Sequence, residues 1–222
     1  MFIRIIIAVF MLALATTGIA GAWGLPSVLS SSTSSSADPD DFLLRARKAE
    51  ALTGRSADSL FKAVASKEEQ AKMEELQKKL NETTDDKEKN ALRQQITESE
   101  LATIEKKAKD KQVQEDAKKW DEKKKKYVAN AFYNLTLGSL QAALLVPEGA
   151  KIVSSIQGNP VNAARLALKL NTVIAAGKSL GGIISNVAST TSAMKPLMSA
   201  ANIEAKAPSS ASEAPKDASD QI

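Results

Sequence analysis

The chain has 222 residues, of which 43% are hydrophobic, 25% charged and only 4% aromatic, an ordinary globular balance whose apolar part is mostly Ala, Leu, Val and Ile. It contains neither Cys nor His, which excludes disulfides, thiolate nucleophiles, Cys or His metal ligands and an imidazole general base. Thirty basic residues against twenty-six acidic ones give a net charge of +4, but the two signs interleave along the chain, so the excess by itself points to no polyanion.

Residues 1–22 have the three parts of a secretory signal: Arg4, an apolar run from Ile5 to Ala15, and Ala20-Gly21-Ala22 as a small-residue cleavage site. The expectation is cleavage after Ala22 and export, to the periplasm or the exterior if the source is bacterial. The alternative is an uncleaved membrane anchor through residues 5–25, since no charge occurs between Arg4 and Asp38. Residues 23–38 follow as a flexible linker, because the tract Ser30-Ser31-Ser32-Thr33-Ser34-Ser35-Ser36 cannot bury enough apolar surface to offset the cost of ordering it.

Residues 39–126 read as a charged helical hairpin of coiled-coil type. Asp38 can cap the first helix, Pro39 suits its first turn, and Asp40 and Asp41 oppose the positive end of the dipole. Gly54 is a natural stop near Thr53, and Ser56 can cap a second helix carrying Met73, Leu76 and Leu80 on one face. Asn81 to Asp86 collects cap and turn residues and turns the chain back. From Asp86 no Gly or Pro occurs until Gly138, which allows one helix of about fifty residues, on the order of 75 Å long. Its apolar seam is thin: Leu92, Ile96, Leu101, Ile104, Val113, Ala117 and Trp120. That seam needs a partner, supplied by residues 39–53, by the C-terminal half or by another chain.

Lys123, Lys124, Lys125 and Lys126 precede Tyr127, Phe132 and Tyr133 and an uncharged stretch reaching Pro147. Basic residues beside aromatics suit an anionic membrane surface, with Lys123 to Lys126 and Tyr127 as the contacts. Against a membrane span stand Asn130, Asn134, Thr136, Ser139 and Gln141, too many polar groups for lipid. The favoured environment is the core of a helical domain.

Residues 127–203 read as a compact bundle of Ala-, Gly- and Ser-rich helices. Pro147-Glu148-Gly149 turns the chain, a short helix covers Ala150 to Gln157, and Gly158-Asn159-Pro160 turns it again. In the last helix Leu166, Leu170, Val173, Ile174, Leu180, Ile184 and Val187 recur at helical spacing. Beside them Gly177, Gly181, Ser185 and Ser189 form a small-residue ridge that allows close helix approach, inside the fold or with a partner. Residues 204–222 are expected to form a disordered tail.

No chemistry-bearing constellation accompanies this architecture. Ala176-Gly177-Lys178-Ser179 resembles the end of a phosphate-binding loop, but Thr172 stands where the first glycine is required, and the preceding residues are helical. Ser, Lys and carboxylates occur in pairs that composition alone produces. The sequence therefore points to an all-α, non-enzymatic, exported interaction or structural protein without metal, cofactor, nucleic acid or small-molecule substrate. Its expected partner is a protein or a second copy, meeting Leu92, Ile96, Leu101, Ile104, Trp120, Gly177 and Gly181. The alternative is a membrane-surface protein using residues 123–126 with the uncharged helices 127–146 and 160–190.

Overall fold

The computed structural model describes residues 38–158 and 160–218. The signal and anchor readings, nearly all of the linker and the last four residues of the tail lie outside that range. Among the described residues the chain is all-α: α1 Pro39–Val64, α2 Lys67–Glu82, α3 Asp86–Ala108, α4 Lys111–Ala117, α5 Glu122–Gln157 and α6 Pro160–Ala200.

α1 starts as its sequence dictates, with the Asp38 carboxylate accepting the Asp40 N–H at 2.9 Å. It does not stop at Gly54. Phe42, Ala46, Ala49, Ala57, Leu60 and Phe61 form one buried face that runs through the glycine, and that burial outweighs the ~1 kcal/mol helix penalty of Gly. Ser56 is consequently a buried helix residue whose hydroxyl donates to Leu52 O at 2.7 Å. The cap expected there falls instead at Ser66, in a reciprocal capping box with Glu69.

The single long helix expected after Asp86 is three helices. Asp110 and Asp121 each accept N–H groups of the next turn, Gln112 at 2.8 Å and Lys124 at 2.7 Å, so two aspartates surrounded by strong helix formers act as N-caps. Pro147 does the opposite of what was expected: α5 passes through it without a break. Pro147 is exposed, while Leu145, Gly149, Ile152, Val153 and Ile156 around it are buried. Packing on both sides overrides a penalty of ~3 kcal/mol.

α1, α5 and α6 pack lengthwise on one another, and α3 lies against α1 and α6. The expected division into a hairpin 39–126 and a bundle 127–203 is therefore not how the packing is partitioned, because α1 is a core helix. What projects is an arm of α2 and the start of α3, where α2 buries only Met73. One core cluster joins Leu60, Phe61, Ile96, Leu101, Ile104, Val128, Phe132, Leu135, Met194 and Leu197. A second joins Phe42, Ala46, Ala142, Leu145, Ile152, Val173 and Leu180, and Ile183 packs against both.

α6 ends in a Schellman turn. Ile203 N–H bonds Met198 O at 2.8 Å, Asn202 N–H bonds Ser199 O at 3.1 Å, and Asn202 holds the left-handed conformation at φ 55°. The residues beyond are not a free tail. The segment to Ala218 lies along α5 as a strap, with Pro208 buried and Ala218 against the first cluster.

Among the described residues, close helix approach occurs at two glycines that spacing alone does not single out. A Cβ on Gly138 of α5 would collide with Thr53 Oγ1 and lie 3.3 Å from both Ala49 O and Thr53 N of α1; one on Gly149 would lie 2.9 Å from the Phe42 ring. At Gly181 a Cβ would meet nothing within 4 Å, so no close approach is made there. Gly138→Ala is accordingly expected to cost ~1–3 kcal/mol, because helix backbone cannot retreat, and Gly181→Ala to be neutral or stabilising by up to ~1 kcal/mol. Chemical denaturation of the two variants measures both.

Candidate functional site

Three of the five uncharged polar residues of α5 that argue against a membrane span receive the strap. Asn130, Asn134 and Gln141 lie within about 40° of one another around the helix at ~100° per residue. Asn130 Nδ2 donates to Asp217 O at 2.7 Å, Asn134 Nδ2 to Lys216 O at 2.7 Å, and Gln141 Nε2 to Ala211 O at 3.0 Å. Asn134 Oδ1 also accepts the Lys216 N–H at 2.7 Å. All four bonds go to main-chain groups of the strap, which runs antiparallel to α5.

Two side-chain contacts supplement them. Tyr133 Oη donates to Glu213 Oε2, and Lys216 Nζ sits 3.9 Å above the Tyr133 ring. Glu213 Oε1 accepts the N–H groups of Ser209 and Ser210 at 2.6 and 2.9 Å. The Tyr133 hydroxyl, followed by the Ser209 and Ser210 donors, holds the Glu213 carboxyl down to about 2; the same bond raises the Tyr133 phenol. The sequence showed the asparagines but not their occupant, since nothing in a Ser/Ala/Pro tail marks the surface it lies on.

The lysine run is not a uniform basic patch. Lys123 and Lys126 are exposed. Lys124 Nζ lies 4.8 Å over the Trp120 ring, where burial pulls its pKa down, and Lys125 pairs with Glu122 at 2.8 Å. Tyr127 is 7% exposed inside the first core cluster, so as placed it cannot meet a membrane surface. Among the described residues no helix is long and apolar enough to cross a membrane.

The expected seam residues Ile96, Leu101 and Ile104 are buried within the chain, against α1 and α6, which therefore provide much of the partner strand. Leu92 and Trp120 remain half-buried. Gly177 is buried and Gly181 half-buried, while Ser185 and Ser189 are exposed. Ser189 Oγ donates to Glu105 Oε2 at 2.6 Å, across one end of a shallow groove of ≈ 510 Å³ lined by Glu98, Leu101, Ala102, Asn186 and Thr190. Among the described residues no group of three or more acidic side chains could hold a metal.

With this geometry in view, the chain matches no family model, no curated protein and no solved structure.

One buried ionisable group stands apart. Glu100 on α3 is 1% exposed, its Oε1 has no hydrogen-bond partner, and burial, aided by nearby Asp58 and opposed by Lys62, raises it from 4.5 to about 8. An acid that is neutral when folded and ionised when unfolded costs stability as pH rises between those values, at about 1.4 kcal/mol per unit. Glu100→Gln is thus expected to match the parent near pH 4 and to become progressively more stable than it up to pH 8. Thermal unfolding across that range checks the sign, and parallel curves would contradict it.

Proposed function

We propose that this chain is an exported, non-enzymatic helical protein that binds a protein partner, or a second copy, through the projecting α2–α3 arm by coiled-coil-type packing. The observation that carries the reading is the arm itself. α2 spans Lys67–Glu82 yet buries only Met73, and Leu76, Leu80 and Leu92 stay half-buried. Sixteen residues of helix that add one buried side chain contribute little to the core. Their half-covered leucine row, flanked by Lys and Glu, fits the edge of an incomplete helix pair. Lys107 and Glu69, 2.9 Å apart, anchor the arm at its base and leave its tip to a partner. Export rests on the signal-like residues 1–22.

The membrane-surface alternative is weaker. It depends on Lys123 and Lys126, because Lys124 and Lys125 are engaged with Trp120 and Glu122 and Tyr127 is buried.

A photo-crosslinking residue at Glu75, in the cells that make the protein, is expected to give one dominant protein adduct. Leu80→Glu combined with Leu92→Glu should abolish that adduct while leaving the chain folded, with the melting temperature lowered by only a few degrees, since Leu80 meets the first core cluster from a half-covered position. Absence of any protein adduct, or one indifferent to the double substitution, would sink the arm reading. Salt-reversible flotation of the full chain with anionic vesicles would move the weight to the membrane surface.

A further inference from the structure

α5 offers an extended polypeptide a row of side-chain amides that the helical core does not use. Asn130, Asn134 and Gln141 share one face, and each donates to a carbonyl of the strap, while Asn134 also accepts a strap N–H. From Gln141 to Asn130 the helix advances about 16 Å, while Ala211 to Asp217 would cover about 20 Å if extended; the turn closed by Glu213 N–H on Ser210 O takes up the difference, so the chain lying on Asn134 and Asn130 is the turn-free stretch from Ala214 to Asp217. Such a row recognises main chain, which every peptide has. Selectivity is left to Tyr133, whose hydroxyl takes the Glu213 carboxylate and whose ring takes the Lys216 ammonium.

The strap has the properties of a replaceable occupant. It contains no helix or strand, and its composition is Ser, Ala and Pro with isolated charges. Its removal breaks the small apolar contacts of Pro208 and Ala218 and otherwise uncovers polar amides that water can satisfy, whereas displacing any core helix would expose Phe, Leu and Ile.

We propose that the amide row of α5 is a binding site for an extended peptide segment of a partner protein, poor in apolar side chains and carrying a carboxylate three residues before a cation, and that the C-terminal strap is its competitor in cis. This goes beyond the arm reading and does not depend on it: the Leu80→Glu/Leu92→Glu variant should bind peptide as the parent does.

The probe is a labelled peptide of residues 205–222 added to the full chain. A strap tethered this closely competes at an effective concentration on the order of millimolar, so the parent protein should bind the peptide weakly. Glu213→Ala with Lys216→Pro, which removes the carboxylate and the N–H that Asn134 accepts, should tighten binding at least tenfold. Adding Asn134→Leu should then abolish it. Equal affinity of parent and strap variant, or binding that survives Asn134→Leu, overturns the proposal. Should the strap variant fail to fold, the parent still decides: excess unlabelled peptide must speed hydrogen exchange at the Lys216 amide, and an unchanged rate overturns the proposal. A dimer that needs both Asn134 and Lys216 would replace the partner segment by the strap of a second copy and overturn the partner named here.

Discussion

The contact between α1 and α5 is the constraint on which the rest of the structure depends. It is set by two glycines on α5, one facing Thr53 and Ala49, the other facing the Phe42 ring. Because nothing but hydrogen fits there, the two helices lie side by side along most of their length and place the Phe42 and Leu60 ends of α1 in separate core clusters. α6 then covers the groove they leave. Pro147 survives within α5 for the same reason, since the helix is held on both sides of it by α1. Its neighbour Glu148 receives Arg45 of α1 in a two-pronged ion pair, with one nitrogen at 2.9 Å.

Polar groups inside this bundle mostly answer to their own helix. Thr53, Ser56 and Thr191 donate to carbonyls four residues back at 2.9, 2.7 and 2.7 Å, which lets small hydroxyl residues fill helix interfaces without needing a partner across them. Thr190 and Asn134 reach across to Leu101 O and to the strap, and Glu100 differs from all of these as a buried carboxyl with an unpartnered oxygen. Its neutral form is what makes the site tolerable near neutrality. The core is thus set mainly by shape, while ionic contacts such as Lys169 to Asp40 at 2.6 Å stay at the rim.

The all-α class was legible in the sequence, as were the Asp38 cap, the turn before α3 and the apolar face of α6, because each is a local pattern with a local cause. Boundaries failed where tertiary burial outweighed a breaker, at Gly54 and Pro147, and where an aspartate among lysines captured a helix start, at Asp110 and Asp121. At Gly181 the expected close approach is not made, for an instructive reason. Spacing by four singles out Gly177 and Gly181, but whether a glycine meets another backbone depends on which face α1 occupies, and that face belongs to Gly138 and Gly149. The amide row was visible as Asn130, Asn134 and Gln141, and was read only as a reason against lipid. Its true neighbour is about eighty residues further on in the chain, beyond the reach of any local pattern.

The left-handed turn at Asn202 has a mechanical consequence. It roots the strap in the end of α6, while Lys216 and Asp217 lie over the N-terminal part of α5. A pull on the strap from its Asp217 side therefore loads the contacts in series, first Asn130, then Asn134, then Tyr133 and finally Gln141, and opens them like a zip. A pull transmitted through α6 would load them together, in shear. The same few bonds thus yield gradually from one direction and hold as a unit from the other.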